Sequence, residues 1–205
     1  MRDLDKALAD IVEIRSQLAY STAFQGFGPT ALGATSVLAL VTASVQSFWM
    51  PDPNAAPLLY FTGWIVTALV CVAIIGAEML ARTRRRHSGL ADAMIVNAVQ
   101  QFVPAGVAGA FLALVVLRFA PEPAWMLPGI WQVLVSLGIF ASARTLPRAV
   151  TLGGAWYFVA GFAVLMICGG SHTVSPWAMG IPFAGGQLLL AAILYFSSGE
   201  HHGQA

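Results

Sequence analysis

Few side chains in this sequence could do chemistry, and their spacing excludes most of the reactions they could serve. The four histidines are His87, His172, His201 and His202, and none falls within an apolar run. That disfavours a membrane haem held between two histidines. His201-His202 stand on a polar tail without the further ligands that a metal needs. Ser171 and His172 are adjacent, and neighbouring side chains diverge where a nucleophile and its base must converge. H-E-x-x-H, G-x-S-x-G and a glycine-rich phosphate loop are all missing. Cys71 and Cys168 fall at different depths of separate apolar runs, so two free, buried thiols are expected rather than a disulfide. No catalytic residue, metal site or cofactor is expected, and an enzyme is the least favoured function class.

What remains is polarity inside apolar runs. Gln187 stands mid-run beside Gly185 and Gly186, a few residues after Pro182. Gln132 and Ser136 are one helical turn apart in another run, and Asn97, Gln100 and Gln101 cluster at the start of a third. An intramembrane glutamine either bonds a neighbouring helix, contributing on the order of 1 kcal/mol, or lines a solute site. Gln187, Gly185, Gly186, Gln132 and Ser136 are therefore the candidate solute-facing residues. Gln187 leads because Pro182 frees backbone carbonyls nearby. Glu78 is the one carboxylate within a run, and it precedes Arg82 by one turn, where an i,i+4 pair is expected. Arg82, Arg84, Arg85 and Arg86 could hold anionic lipid head groups, although control of topology alone accounts for such a cluster.

These residues must be positioned by membrane-spanning helices. Hydrophobic residues make up 58% of the chain and charged ones 9%, against roughly 25% charged in a soluble domain. The mean hydropathy is +0.77. A surface facing water cannot be built from so few charges, and a net charge of +1 offers nothing to nucleic acid. Six apolar runs each approach the roughly 20 residues that cross a bilayer as helix: Pro29–Trp49, Leu58–Leu80, about Met94–Leu117, Trp125–Ala143, Ala149–Cys168 and Trp177–Ser197. The third has an uncertain start, near Met94 or near Phe102. Pro51-Asp-Pro53-Asn54, Pro121-Glu-Pro123 and Gly169-Gly-Ser-His-Thr read as turns between runs.

With the N-terminus inside, nine of the ten basic residues are cytoplasmic and only Arg118 is outside. Trp49, Trp64, Trp125, Trp131 and Trp177 then form an outer interfacial belt, with Trp156 the exception. Upstream, Leu4, Leu8, Ile11, Ile14 and Leu18 make an apolar stripe opposed by charges, an amphipathic helix over Asp3–Ser21. The expected fold is an all-α integral membrane protein, a six-transmembrane-helix bundle with an N-terminal amphipathic helix and both termini cytoplasmic. Residues 1–27 form the interfacial segment, 28–198 the membrane domain and 199–205 a short tail. Small residues at four-residue spacing, Ala31-Thr35-Ala39-Ala43 and Ala105-Gly109-Ala113, allow close helix packing, within the bundle or across a homo-oligomer seam.

Gly28-Pro29-Thr30-Ala31-Leu32-Gly33 resembles the Asn-Pro-Ala-Pro-Leu-Gly opening of acetate/succinate channel-like transporters at Pro29, Leu32 and Gly33, and departs from it at Gly28, Thr30 and Ala31. It covers six residues and lacks the distinctive asparagine and second proline. The expected function is a non-catalytic, multi-pass module of the inner or plasma membrane. It would dock or regulate a cytoplasmic partner through residues 3–21 and its basic loop. The alternative is a passive permease or binding subunit for a small neutral or weakly charged solute.

Overall fold

The computed structural model describes residues 28–86, 89–142 and 149–199, and within them the side chains outside 82–99, 101 and 197–199. The amphipathic segment, Arg144 and Arg148, and the tail from residue 200 lie outside the described residues. The described residues are mostly helical, and no strand occurs among them. Six helices follow one another: α1 (Pro29–Trp49), α2 (Pro57–Arg86), α3 (Gly89–Phe119), α4 (Leu127–Ser142), α5 (Val150–Ser171) and α6 (Pro176–Gly199). A 3-10 turn, Glu122–Met126, leads directly into α4. All six are long and apolar enough to cross a membrane, counting that turn with α4.

Proline sets several boundaries. Pro29, Pro57 and Pro176 open α1, α2 and α6, where a missing N–H costs nothing and a fixed φ suits the helix. Met50, ahead of Pro51, leaves the helical region at φ −125° and ψ 81°, which ends α1. Pro104 does not end α3. The helix is continuous from Gly89, and its membrane-length apolar stretch begins at Phe102.

The expected glycine turn after the fifth span is absent. Gly169 and Gly170 are helical, α5 runs on to Ser171, and the left-handed residue that caps it is His172, at φ 53° and ψ 30°. Its N–H donates to the Cys168 carbonyl at 2.7 Å. The Trp125 ring packs over Gly169, 3.5 Å from where a Cβ would stand, and meets the His172 ring edge-on at 4.9 Å. The Trp125 contact leaves ordinary room for a Cβ at Gly169, and neither glycine makes the turn.

The helices form a ring in chain order, α6 closes on α1, and α4 touches α6 across the centre. The most extensive pairings are α1 with α6 and α4 with α5, whereas α2 meets α3 only slightly. Small residues explain the close pairs. Ala31, Thr35, Ala39 and Ala43 are all buried, and a Cβ on Gly180 of α6 would lie 2.5 Å from the Ala43 Cβ. Gly129 of α4 and Gly161 of α5 face each other, each less than 3 Å from the other's carbonyl if given a Cβ. Gly109 and Ala113 of α3 are buried, Gly109 against Trp131 and Leu134 of α4, while Gly106 and Ala110 of the same helix are exposed. The first small-residue ridge therefore packs within the bundle, as do Gly109 and Ala113 of the second. Outward positions carry Val37, Val41, Leu69, Val72, Val159 and Ile167, all exposed, as lipid-facing surface requires.

Two members of the expected tryptophan belt are interior residues. Trp64 is buried, and Trp131 donates its indole N–H to the Gly109 carbonyl at 3.1 Å. Trp49 and Trp177 are exposed. Both cysteines are buried and free.

Candidate functional site

The polar interior is organised on α6. Pro182 has no N–H, so the carbonyl one turn earlier, on Ala178, loses its helical donor. Gln132 of α4 supplies one: its Nε2 donates to Ala178 O at 2.9 Å. The next carbonyls also accept from other helices. Trp156 Nε1 of α5 donates to Pro182 O at 2.9 Å, the Tyr157 hydroxyl to Phe183 O at 3.2 Å, and the Ser36 hydroxyl of α1 to Ala184 O at 3.0 Å. Side chains from three helices thus grip one stretch of α6 backbone around its proline.

Gln187 follows this stretch on α6 and is buried. Its Nε2 donates to the Tyr157 hydroxyl and its Oε1 accepts from the Thr35 hydroxyl, each at 3.3 Å. The Thr35 hydroxyl also lies 2.9 Å from the Leu32 carbonyl, so its one proton is shared between two acceptors. Gly185 lies under the Trp156 ring, a Cβ there standing 2.6 Å from Cζ2. Gly186 lies under Tyr157, a Cβ there standing 2.6 Å from the hydroxyl oxygen. The glycines leave room for two large rings against α6.

The five sequence candidates are not brought to one place. Gln187 and Gly186 meet at Tyr157, and Gly185 at Trp156. Gln132 bonds Ala178, and Ser136 donates to the Gly154 carbonyl at 2.8 Å, joining α4 to α5. The residues that complete the arrangement, Thr35, Ser36, Trp156 and Tyr157, went unread as partners. Tyr157 carried a signal, being the one tyrosine of its span and so a buried hydroxyl in need of a partner.

Glu78 bonds across to α1, and the Arg82 side chain expected to pair with it lies outside the described residues. Its Oε1 accepts from the Thr30 hydroxyl at 3.0 Å and its Oε2 from the Ala31 N–H at 3.1 Å. It caps the N-terminus of α1, which has no capping side chain of its own. The carboxylate meets the orphan N–H groups and positive dipole end of that helix. The Arg82, Arg84, Arg85 and Arg86 side chains lie outside the described residues, although α2 continues through all four positions.

At the opposite end, loops are latched to one another. The Asn54 side chain accepts from the Val174 N–H at 2.8 Å, and the Tyr60 hydroxyl donates to the Ser175 carbonyl at 3.0 Å. Among the described residues, three buried polar atoms have no hydrogen-bond partner: Gln46 Oε1, Gln132 Oε1 and Trp64 Nε1. Each glutamine spends only its Nε2, that of Gln46 on the Tyr60 carbonyl at 2.9 Å. Comparison with protein-family models, curated proteins and solved structures returns no match.

Proposed function

We propose that this chain is a non-catalytic, multi-pass module of the plasma membrane, with both termini cytoplasmic, that docks or regulates a partner through residues 3–21 and the basic stretch Arg82–Arg86. The observation that supports this reading is how the interior polar groups are used. Gln187, Thr35, Ser36, Ser136, Trp156 and Tyr157 all spend hydrogen bonds on joining helices, and Gly185 and Gly186 are covered by aromatic rings. A bundle built this way is a scaffold, and its recognition elements are then the polar segments outside the bilayer. Purification in native lipid, with mass spectrometry of what accompanies the full chain, tests it. A single protein retained by the full chain and lost on deletion of residues 3–21, with the melting temperature of the bundle unchanged, is the expected result. Retention after that deletion sinks the reading.

A second reading, a passive permease or binding subunit for a small neutral solute, is favoured by the unpartnered Gln46, Gln132 and Trp64 atoms. A dry amide oxygen costs free energy that a water or solute would recover. On this reading Gln132→Leu abolishes flux of small neutral solutes in proteoliposomes while Gln187→Leu does not. Equal flux in both variants and the parent chain removes it.

A further inference from the structure

The end of the bundle with the latched loops buries two polar groups that the chain leaves unsatisfied. Gln46 stands one turn before the end of α1 and is 7% exposed, and Trp64 stands two turns into α2 and is 3% exposed. Gln46 Oε1 and Trp64 Nε1 have no hydrogen-bond partner. The two atoms are opposite in kind, since an amide oxygen only accepts and an indole N–H only donates.

Both belong to the junction of α1, α2 and α6. Gln46 Nε2 donates to the Tyr60 carbonyl at 2.9 Å and lies 2.5 Å from where a Cβ on Gly63 would stand, so the amide rests on the turn of α2 that leads into Trp64. The tip of the Trp64 ring, Cη2, is 3.7 Å from the Cβ position of Gly180 on α6. Ala43 of α1, one turn from Gln46, packs against that same glycine.

Turning the amide round does not satisfy it, because Oε1 would then meet the Tyr60 carbonyl, oxygen against oxygen. The Tyr60 ring lies 6.5 Å from that of Trp64, but its hydroxyl gives its single proton to the Ser175 carbonyl at 3.0 Å. The Trp131 indole N–H is committed to the Gly109 carbonyl. A buried acceptor and a buried donor left dry each cost free energy. One small group can satisfy both if it donates to the oxygen and accepts from the indole. An ammonium ion offers the indole no lone pair, and a carboxylate offers the amide no proton. A neutral hydroxyl offers both.

We propose that Gln46 Oε1 and Trp64 Nε1 form a binding site for one hydroxyl group, of water or of a small alcohol. The hydroxyl proton goes to Gln46 Oε1, and an oxygen lone pair receives the Trp64 N–H. Trp64 stands ~10 Å along α2 from Pro57, within reach of the loop end. Two of the three atoms on which the permease reading rests thus gain a named occupant. The site holds its ligand in place and requires no transport, so its test is separate from the flux assay.

The test is nuclear magnetic resonance of the full chain in nanodiscs with isotope-labelled tryptophan, the Trp64 indole signal being assigned by its loss in Trp64→Phe. A cross-peak between the Trp64 indole proton and water is expected in the parent chain. It should be lost in Gln46→Met, which keeps the length of the side chain and removes the acceptor. The Trp131 indole signal should stay in place in that variant, as the check that the bundle is folded. Added methanol separates the two sources: a cross-peak to its methyl protons identifies an alcohol site, and an unchanged water cross-peak identifies a site for water alone. A Trp64 indole proton with no cross-peak to water or methanol, or one that meets only the Tyr60 hydroxyl, overturns the inference. So does a water cross-peak undiminished in Gln46→Met. Should Gln46→Met not fold, Gln46→Asn, which draws the acceptor back by one methylene, takes its place under the same criteria.

Discussion

Gln187 shows what a single amide does inside a span. Its two bonds join α6 to α1 and α5, and interhelical bonds of this kind average about 0.6 kcal/mol in membranes. Gln187→Leu is expected to lower stability by about 1 kcal/mol, read as a small fall in melting temperature in detergent, with the fold retained. A collapse of the fold would mean that the amide carries far more than its two bonds. The glycines beside it give a sharper contrast. Gly186→Ala places a methyl group against the Tyr157 ring and should destabilise by about 1–3 kcal/mol, the usual range for overpacking. Gly106→Ala meets nothing within 4 Å and should be neutral or stabilising by up to about 1 kcal/mol, since alanine favours a helix. Thermal melts of the two variants side by side check the pair. That Gln187 is interior was legible in the sequence, because an amide in a span needs a partner. Which partners it has was not, because Thr35 is 152 positions away and a sequence carries no register between helices. The glycines were read as solute-facing, whereas Trp156 and Tyr157 of α5 lie over them.

At the scale of elements, the spans were legible from hydropathy alone because bilayer thickness fixes their length. Their ends were less so. Proline opens α1, α2 and α6, whereas the end of α5 was misplaced because Gly169 and Gly170, read as a turn, are helical. Glu78 was read by i,i+4 spacing, which sees only its own helix. Its bonds to Thr30 and Ala31 cross to α1 and depend on tertiary proximity that spacing cannot report. The cap makes a prediction. Glu78→Gln keeps an acceptor but removes the charge that meets the helix dipole, and should cost about 0.3–1 kcal/mol. Glu78→Ala removes both acceptors and should cost more. A melting series with Glu highest, Gln intermediate and Ala lowest is expected, and equal values for Glu and Ala would mean that the cap is not formed in the membrane. On α3, Gly109→Ala should be tolerated, because its Cβ would stand 3.5 Å from Trp131 and Leu134. Gly109→Leu cannot fit there, and should part α3 from α4 with loss of the Trp131 bond to the Gly109 carbonyl.

The whole molecule is a ring of antiparallel helices, and its ends differ in chemistry. One end holds the Glu78 cap and the end of α2 with Arg82–Arg86; the other holds the latched loops, Asn54 on Val174 and Tyr60 on Ser175. Short connections force successive helices to alternate in direction, so six crossings return the chain to the side on which it started. Which side that is follows from basic residues, because Lys and Arg near span ends resist translocation. In sequence, Arg2, Lys6 and Arg15 precede α1, Arg82, Arg84, Arg85 and Arg86 close α2, Arg144 and Arg148 fall between α4 and α5, and Arg118 alone falls at the end of α3. The end where α1 begins is expected to be cytoplasmic. A reporter active only in the cytoplasm and fused after Ala205 should therefore be active, and one inserted after Asn54, in the loop between α1 and α2, should be silent. The pair is diagnostic where one fusion alone is not. Activity at both positions would put an even number of crossings between Asn54 and Ala205, where α2–α6 supply five, so at least one of those helices would not cross. Silence at Ala205 with activity at Asn54 would mean an inverted bundle, with nine basic residues translocated against the rule that assigns the orientation.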